Sequence, residues 1–436
     1  MNSTELSPEE FKANWKVRFF TIFAGQSLSL FGSALVQFAL IWYLTRQTGS
    51  ATILAMATLI AMLPQIILGP FAGALVDRWN RRLVMMAADG VIALATLVLA
   101  GLFLAGRAQT WHIYLILLIR SLGGAFHWPA MSASTTLMVP KDQLSRVAGL
   151  QQTMQGLVSI VAPPTGALLI GIISTEWVLM IDVFTALAAI LPLFFISIPQ
   201  PIQPTSSSSE SKNSYWQDLK AGITYVTAWP GLLAVLFMAA FLNLVLTPIS
   251  SLIPLLVTKY FKLGALELGL TDSLWGIGMI AGGVVLSAWG GFKRQILTSM
   301  LGVIGLGLGV ITIGLAPVNM FWLALTGMAV IGFMNPIING PLMAVLQVTV
   351  KPEMQGRVMS LVGSAAAAMS PISLALAGPV SDKFGIRIWY IFGGSAALLI
   401  GIGSLFVPAI MNLENNHQDR NPAPHPPAIV AAIHEG

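Results

Sequence analysis

The stretch GPFAGALVDRWNRR, from Gly69 to Arg82, decides the fold of this chain. It begins in an apolar block with glycines four residues apart and ends with an aspartate close to three arginines. Glycines at helical spacing allow two helices to approach closely. A carboxylate among guanidinium groups forms charge-assisted hydrogen bonds that can hold one conformation and release in another. The stretch therefore predicts a basic loop after an apolar helix, with a conformational role for Asp77.

Beyond this loop, the composition of the whole chain is too apolar for a soluble protein. Of its 436 residues, 56% are hydrophobic and only 9% are charged, whereas soluble domains carry about 25% charged residues. The apolar residues form blocks of about 20 to 28 residues, long enough to cross a hydrocarbon layer about 30 Å thick. The composition therefore predicts an integral membrane protein.

Breaks rich in charge, proline, glycine or asparagine divide the chain into twelve predicted spans. They run near 18–44, 52–76, 83–105, 111–139, 147–173, 177–198, 231–257, 270–290, 296–316, 320–349, 358–381 and 388–408. A polar stretch at 199–220, containing the run Ser206–Ser209, separates them six and six and is typical of a flexible linker. Apolar residues at helical spacing in 215–228 predict an amphipathic helix at the membrane interface.

The predicted organisation has five parts. They are a cytoplasmic segment at 1–17, a six-helix bundle at 18–198, a cytoplasmic linker with its amphipathic helix at 199–230, a second six-helix bundle at 231–408 and a disordered cytoplasmic tail at 409–436.

The basic residues predict the orientation. Of the 22 lysines and arginines, 15 fall in the loops and termini on the side that holds both chain ends, 6 fall on the other side, and Arg120 lies inside a span. Because cytoplasmic loops carry an excess of lysine and arginine, both termini are predicted to be cytoplasmic.

The two groups of six spans repeat one another in the same order and orientation. Three matches support this: Ala125-Phe126 and Pro129 with Gly332-Phe333 and Pro336, Arg146-Val147 and Leu150 with Arg357-Val358 and Leu361, and Gly73 with Gly283, at offsets of 207, 211 and 210 residues. Parallel repeats of six helices are one plan of secondary transporters, with the substrate site at the midplane between the halves.

The opening stretch resembles the loop between helices two and three of the major facilitator superfamily, Gly-x3-Asp-Arg-x-Gly-Arg-Arg, with Asn80 in place of a glycine. The resemblance implies an all-α fold of two six-helix bundles related by a pseudo-twofold axis. It also implies a conformational gate on the cytoplasmic side, formed by Gly73, Asp77, Arg78, Arg81 and Arg82. A merely basic, topology-setting loop is the alternative. The matching position of the second half is Ser287, so a one-sided gate is expected.

Arg120 has the highest free-energy cost of placement in a membrane among the residues of this chain. An arginine inside a span costs several kcal/mol unless it meets a partner or water. The run Arg120-Ser-Leu-Gly-Gly124 is similar to the family's helix-four pattern Arg-x-x-Gln-Gly, which implies a role in proton coupling. The alternative is an arginine that bonds backbone carbonyls and has no transport role. Asp89 and Asp182 are the carboxylates nearest in depth, and Asp272 is expected to begin span eight, so no acidic residue is expected at the midplane.

Span five is similar to the antiporter pattern Gly-Pro-x-x-Gly-Gly. It carries Pro163 and Gly166, with alanines in place of the first and last glycine. Proline bends the helix and small residues admit a close neighbour. The resemblance implies an exporter.

Two further stretches narrow the resemblance. Gly25–Ala51, at the first span, and Trp216–Tyr225, before span seven, look like the macrolide-efflux branch of the drug:proton antiporters. That branch implies export of a bulky, largely apolar compound with protons as the coupling ion. Transport of a lysophospholipid or a siderophore on the same scaffold is the alternative.

The remaining membrane polar and aromatic groups are candidates for a central cavity that is apolar with few polar groups. They are Gln26, Gln37, Phe126, His127, Trp128, Gln155, Asn243, Asn335 and Asn339. Hydrogen bonding between helices is the alternative role of each polar member.

Several other functions are disfavoured by the sequence. A membrane enzyme would need a constellation of nucleophile, acid, base or metal ligands, and no loop offers one. The glycine-rich run Gly276–Gly283 lies inside an apolar span with no strand before it, so helix packing explains it better than nucleotide binding. The histidines have no metal-ligand spacing, and the chain has no cysteine. We expect no cofactor, no metal and no nucleic-acid partner, and a monomer in a bacterial cell membrane.

Overall fold

The computed structural model describes residues 15–76, 78–198 and 215–414, and every regular element in this part of the chain is helical. A 3₁₀ turn at Lys141–Gln143 precedes α5, and a π-helical turn at Leu256–Tyr260 extends α8. The helices are α1 (Trp15–Thr48), α2 (Ala51–Val76), α3 (Arg81–Leu104), α4 (Thr110–Met138), α5 (Leu144–Ile172), α6 (Thr175–Phe195), α7 (Tyr215–Thr227), α8 (Pro230–Leu255), α9 (Ala265–Trp289), α10 (Gln295–Leu315), α11 (Phe321–Thr349), α12 (Pro352–Phe384), α13 (Arg387–Leu405) and α14 (Pro408–Met411).

Twelve of the described helices are long and apolar enough to cross a membrane. They are α1–α6 and α8–α13, so the predicted all-α membrane fold is confirmed. The short α7 occupies the stretch for which the sequence predicts an amphipathic helix. Its Val226 is buried, and a Cβ at its Gly222 would meet Arg357 of α12 at 3.5 Å.

The helices pack as two groups of six. α1, α3 and α6 form the centre of one group, and α9, α10 and α11 form that of the other, with α13 against α10. The groups meet mainly along two helix pairs, α2 with α12 and α5 with α9. We refer to the groups as the N-terminal and C-terminal halves.

The halves touch at one end of the molecule and separate at the other. We call the end that holds Trp15 and Glu414 the terminal end, and the other the opposite end. Near the opposite end, a Cβ added to Gly378 of α12 would overlap the backbone of Thr52 on α2, and one added to Gly269 of α9 would lie 2.9 Å from the Pro163 carbonyl oxygen of α5.

Toward the terminal end, the glycines of the same helices are open. A Cβ added at any of five positions would meet no described atom within 4 Å: Gly69 and Gly73 on α2, Gly283 on α9, and Gly356 and Gly363 on α12. The close helix approach that the sequence predicts at Gly69 and Gly73 is therefore not made in this structure.

The structure describes the chain up to Glu414, which includes the first residues of the predicted tail at 409–436. Ile410 and Leu413 are buried in an apolar cluster beneath α8. The Glu414 carboxylate accepts a hydrogen bond from the Ile296 N–H at 2.6 Å. That N–H belongs to the first turn of α10, where a carboxylate satisfies an unpaired donor and opposes the positive end of the helix dipole. The rest of the tail, the segment 1–14 and the linker at 199–214 lie outside the described residues.

Two adjacent glycines of α9 provide a test of this packing. A Cβ at Gly282 would overlap the Phe333 carbonyl of α11, whereas one at Gly283 would meet no described atom within 4 Å. We expect Gly282→Ala to destabilise the protein by about 1–3 kcal/mol, because a backbone cannot yield as a side chain can. Gly283→Ala should leave stability unchanged or raise it slightly, since alanine favours helix.

Thermal unfolding of both purified variants in one detergent measures the difference. Equal unfolding temperatures for the two variants would contradict the α9–α11 contact described here.

Candidate functional site

A cavity of about 500 Å³ lies between the halves, and we call it the central cavity. Its walls come from α1, α2 and α5 of the N-terminal half and from α8 and α9 of the C-terminal half. Most of its surface is apolar, from residues such as Phe38, Met62 and Trp275. A mostly apolar cavity with a few polar groups, placed between the two repeats, is the expected form of a transporter's substrate site.

The hydroxyl groups of the central cavity are already bonded within their own helices. Each donates to a backbone carbonyl three or four residues earlier, at distances of 2.9 to 3.2 Å. These hydroxyls belong to Thr58, Ser159, Ser250 and Ser251. Their donor protons are therefore not available to a neighbouring side chain without loss of those bonds.

Two polar side chains of the central cavity have no such partner. Gln37 of α1 and Asp272 of α9 make no hydrogen bond or ion pair to any residue that the structure describes. Gln37, which the sequence predicts as a cavity residue, lies in the wall of the central cavity.

The structure places Asp272 within a span and not at its beginning, where the sequence predicts it. The sequence predicts that span eight begins at 270, but α9 begins at Ala265, so Asp272 lies about two helical turns inside it. The start of α9 lies before the predicted residue 270 because the Glu267 carboxylate accepts a hydrogen bond from the Gly264 N–H at 2.9 Å. A glycine followed three residues later by glutamate is a helix-start signal, and it could have located the helix from sequence.

A second, smaller cavity opens beside the first within the C-terminal half. It has a volume of about 280 Å³ and shares Ser250, Ile253 and Trp275 with the central cavity. Two of its polar residues are Asn243 and Asn335, which the sequence predicts as cavity residues. The Asn243 amide also donates to the Ala239 carbonyl at 3.0 Å.

The other predicted cavity residues line neither cavity. Gln26 and His127 turn to Asp89 inside the N-terminal half: Gln26 Nε2 donates to Asp89 Oδ2 at 3.1 Å, and His127 Nε2 lies 3.3 Å from Asp89 Oδ1. Asn339 donates to the Asn335 carbonyl one turn earlier at 3.0 Å. Gln155 is half-buried on α5 outside both cavity walls.

The predicted cavity residues Phe126 and Trp128 lie apart from both cavities. Phe126 stacks with Trp79, with ring centroids 5.9 Å apart, in a groove formed by α3, α4 and the loop before α3. Trp128 is 58% exposed. The period of a helix that is apolar all round does not show which face meets the other half.

Arg120 has its partner in Asp182. Its Nη1 lies 2.5 Å from Asp182 Oδ2, and its Nη2 donates to the Ser33 carbonyl at 3.1 Å. The Ser33 hydroxyl donates to Asp182 Oδ1 at 3.0 Å, and the Thr96 hydroxyl donates to Asp182 Oδ2 at 3.3 Å. The cluster thus joins α1, α3, α4 and α6. It bonds to side chains and a carbonyl of the N-terminal half and lines neither cavity, so its geometry supports a structural role.

The comparisons with known proteins agree with this architecture. Residues 22–374 match the model of the Major Facilitator Superfamily. Macrolide efflux protein A of Streptococcus pyogenes is 34% identical over 401 residues, which cover 92% of this chain and 98% of that protein. Multidrug efflux pump Tap of Mycolicibacterium fortuitum is 27% identical, covering 88% of this chain and 94% of that protein. A POT family transporter crystallised with 5-aminolevulinic acid superposes with a TM-score of 0.68 at 15% identity, covering 89% and 96% of the two chains.

The chain belongs to the major facilitator superfamily. It is therefore a membrane transporter, and the family resemblance of the Gly69–Arg82 stretch is confirmed.

Part of the predicted gate of this transporter is described. Arg81 is buried and donates to the Ala133 carbonyl of α4 at 3.0 Å, and Arg82 donates to the Phe194 carbonyl of α6 at 2.7 Å. Arg78 is exposed and lines the same groove as Trp79 and Phe126. Asp77 lies outside the described residues, so its role in the gate stays a prediction.

Asn80, the departure from the family pattern, has a local function. Its side-chain oxygen accepts a hydrogen bond from the Leu83 N–H at 3.3 Å and so caps the start of α3. Asparagine is among the best residues at this position, and glycine is only slightly poorer, so the substitution is compatible with the same loop.

Pro163 and Gly166, the antiporter-type motif, lie where α5 meets the other helices of the transporter. Pro163 lines the central cavity and its backbone lies against Gly269 of α9. A Cβ at Gly166 would meet the Phe38 ring at 3.1 Å, so the glycine lets α1 pack closely on α5. The motif thus shapes both the cavity and the contact between the halves.

The opposite end is held by a contact that the sequence analysis missed. Asp382, at the end of α12, accepts a hydrogen bond from the Thr52 hydroxyl at 2.8 Å and another from the Ala51 N–H at 3.3 Å. Ala51 is the first residue of α2, where unpaired N–H groups and the helix dipole favour an anion. Its partners lie 330 and 331 residues away in sequence, so only the packing of the halves reveals the contact.

The Arg120 cluster gives a prediction about stability. Asp182→Asn leaves the buried guanidinium without its anion, and we expect a loss of about 3–5 kcal/mol. Arg120→Lys keeps the charge but loses the planar fork that bonds several acceptors at once, so its loss should be smaller. Asp142→Asn, on the exposed 3₁₀ turn, is the matched control.

Thermal unfolding in detergent and substrate flux in liposomes are measured for each variant. Unchanged unfolding of Asp182→Asn, with selective loss of gradient-driven flux in Arg120→Lys, would contradict the structural role and favour proton coupling at this pair.

The Asp382 contact gives a prediction about conformation. Asp382→Asn removes the charge at the start of α2, which should weaken closure of the opposite end by about 0.3–1 kcal/mol, or about two- to fivefold in population. Spin labels at Arg107 and Val318, which lie in exposed loops of the two halves at that end, report the separation. Lys383→Gln is the control, because the Lys383 ammonium lies over the Phe384 ring of its own helix. Identical distance distributions for Asp382→Asn and the control would exclude a closing role.

Proposed function

We propose that this transporter exports a bulky, largely apolar compound of the macrolide type from the cytoplasm, by alternating access coupled to proton entry. The observation that carries the proposal is the central cavity, which is mostly apolar, lies between the halves and holds one unpartnered carboxylate. The names of the two efflux relatives support the substrate class.

The orientation follows from the basic residues. With both termini in the cytoplasm, as their distribution predicts, the terminal end is cytoplasmic and the opposite end is extracellular. The conformation described here, closed by Asp382 and open at the terminal end, would then face the cytoplasm. An exporter takes up its substrate in that state.

The outward-facing state would require the terminal end to close. The open glycines of α2, α9 and α12 provide small-residue surfaces on which helices can approach closely. Asp77 and the neighbouring arginines are the proposed gate at that end, as the family resemblance implies. Closure there would release the Asp382 contact, since the two halves rock about the cavity between them.

Proton coupling needs a group that exchanges protons where the substrate binds. Arg120 and Asp182 neutralise one another in the N-terminal half, and Asp89 is bonded to Gln26 beside His127. Asp272 faces the central cavity with no described partner. We therefore propose Asp272 as the coupling carboxylate, in place of the three groups predicted from sequence.

The same cavity disfavours the alternative of lysophospholipid or siderophore transport. An anionic phosphate or an anionic siderophore calls for basic side chains. Among the residues that the structure describes as lining the central cavity, none is a lysine, an arginine or a histidine.

Transport of a radiolabelled macrolide into proteoliposomes tests the proposal. With the transporter oriented so that its cytoplasmic face is outside, we expect uptake only when the lumen is more acidic than the medium, and loss of uptake on addition of a protonophore. Ser208→Cys, in the predicted cytoplasmic linker of this cysteine-free chain, reports the orientation through a membrane-impermeant thiol reagent.

Liposomes without protein give the background. Uptake that is equal with and without the proton gradient would contradict proton coupling, and absence of macrolide uptake under any gradient would contradict the substrate class.

A further inference from the structure

We propose that the second cavity is a specificity subsite, in which Asn243 and Asn335 bind a neutral hydroxyl-bearing substituent of the substrate in both conformations of the transport cycle. The inference rests on the proposed transport function, and it adds the chemistry of one part of the substrate and the residues that recognise it. The apolar body of the same molecule would occupy the central cavity, which adjoins the second cavity at Trp275.

The second cavity has the size of a substituent and not of a whole drug-sized molecule. Its volume is about 280 Å³, which lies below the range of about 300–1,000 Å³ typical of sites that hold a complete ligand. It shares Ser250, Ile253 and Trp275 with the central cavity, whose volume is about 500 Å³. One molecule can therefore extend from the larger space into the smaller one.

The hydroxyl groups of the second cavity are bonded within their own helix. Thr247 Oγ1 donates to the Asn243 carbonyl at 2.6 Å, and Ser250 Oγ donates to the Thr247 carbonyl at 2.9 Å. The hydroxyl donors of this cavity are therefore in use, and a ligand that took them would break those bonds.

The side-chain amide of Asn243, on α8, presents a free acceptor. Its Nδ2 donates to the Ala239 carbonyl at 3.0 Å, and this bond fixes which way the amide points, because a carbonyl can only accept. Its Oδ1 has no hydrogen-bond partner among the residues that the structure describes. A ligand group that donates a hydrogen bond would satisfy this oxygen.

The side-chain amide of Asn335, on α11, presents free donors. Its Oδ1 accepts a hydrogen bond from Asn339 Nδ2 at 3.4 Å, whereas its own Nδ2 makes no hydrogen bond to any described residue. The N–H groups of Asn335 are therefore available to an acceptor on the ligand. A hydroxyl group both donates and accepts, so its chemistry complements the two asparagines together.

The substituent that fits this cavity is neutral. None of the described residues that line it is ionisable, and α8, α10 and α11, which form most of its wall, contain no ionisable side chain. Asp272 of α9 lines the central cavity and not this one. A charge buried in the second cavity would have no counter-charge, which costs far more than burial of a neutral group with hydrogen-bond partners.

The second cavity lies within one half of the transporter. All of its lining residues belong to α8–α11. These helices are closely packed, since a Cβ added to Gly278 of α9 would overlap the Ala329 carbonyl, and one added to Gly309 of α10 would lie 3.0 Å from the Gly327 carbonyl oxygen.

This location predicts what the asparagines contribute to transport. When the halves rock as rigid bodies about the central cavity, a cavity inside one half keeps its shape in both conformations. A group that binds two conformations equally shifts neither of them. Asn243 and Asn335 would therefore determine which substrates bind, without driving the conformational change.

Two neutral probes with the same anthracene ring system test the proposal. The hydroxyl group of 9-anthracenemethanol donates and accepts, whereas the ether oxygen of 9-(methoxymethyl)anthracene only accepts. We expect the transporter in lipid nanodiscs to bind the alcohol roughly tenfold more tightly than the ether, because the ether leaves Asn243 Oδ1 without a donor. Equilibrium dialysis measures both affinities, each relative to the partitioning of that probe into empty nanodiscs.

Three variants assign the recognition to the two asparagines. Asn243→Leu should abolish the preference for the alcohol. Asn335→Leu should weaken binding of both probes roughly tenfold and keep the preference, because both probes carry an acceptor oxygen. Asn319→Leu, in the exposed loop between α10 and α11, is the matched control and should bind both probes as wild type does.

Spin labels at Arg107 and Val318 test whether the recognition is the same in both conformations. The alcohol and the ether, each at a saturating concentration, should give the same distribution of distances between the labels. A distribution that differs between the two probes would contradict equal binding of the hydroxyl group in the two conformations.

The proposal is overturned if wild-type protein binds the alcohol and the ether equally, or binds no alcohol beyond that taken up by empty nanodiscs, and neither result depends on the folding of a variant. A preference for the alcohol that persists in Asn243→Leu overturns it as well. The macrolide uptake experiment is independent of these results. Absence of macrolide uptake alongside an Asn243-dependent preference contradicts the proposed function alone, and macrolide uptake without that preference contradicts this inference alone.

Discussion

The constraint on which this structure depends is the lack of water in the hydrocarbon core, which requires the protein to satisfy its own polar groups. The hydroxyls of the central cavity donate to their own helices, and Ser273 of α9 donates to the Ile160 carbonyl of α5 at 2.7 Å, across the two halves. Arg120 and Asp182 also satisfy one another within the protein, as a pair of opposite full charges. Their cluster joins four helices of one half because a buried guanidinium has several donors, and each needs an acceptor.

Because most polar groups within the membrane have partners in the protein, a polar side chain without a described partner is informative. Asp272 lies where the halves meet, in a cavity whose other polar donors are largely in use. A buried carboxylate with a purely structural role is expected to have a hydrogen-bond or ion-pair partner within the protein, as Asp182 and Asp89 have. The absence of a described partner at Asp272 therefore fits the proposed role of a carboxylate that exchanges partners during transport.

The glycines are compatible with the two conformations that the proposed alternating access requires. Near the opposite end they are closely packed, as at Gly378 against Thr52, and toward the terminal end the glycines of the same helices are open. Without a side chain, a glycine permits close backbone approach and also leaves little bulk to obstruct separation. The Asp382 contact adds directional hydrogen bonds to the closed end, and these are few and partly exposed, so their release requires only a modest free energy.

The sequence by itself determined the membrane class, the twelve helices, the parallel repeat and the superfamily, because span length, charge distribution and the Gly69–Arg82 motif are local properties. It also predicted Gln37, Asn243 and Asn335 as cavity residues, and the structure places them in cavity walls. Only the tertiary structure decided that Arg120 pairs with Asp182, that Phe126 and Trp128 lie apart from both cavities, that Asp272 faces the central cavity and that Asp382 contacts α2 at the opposite end. The physical reason is that helices which are apolar all round have no sequence period that identifies their neighbours. Which faces meet depends on the packing of all twelve, and this packing brings together residues as far apart as Ala51 and Asp382.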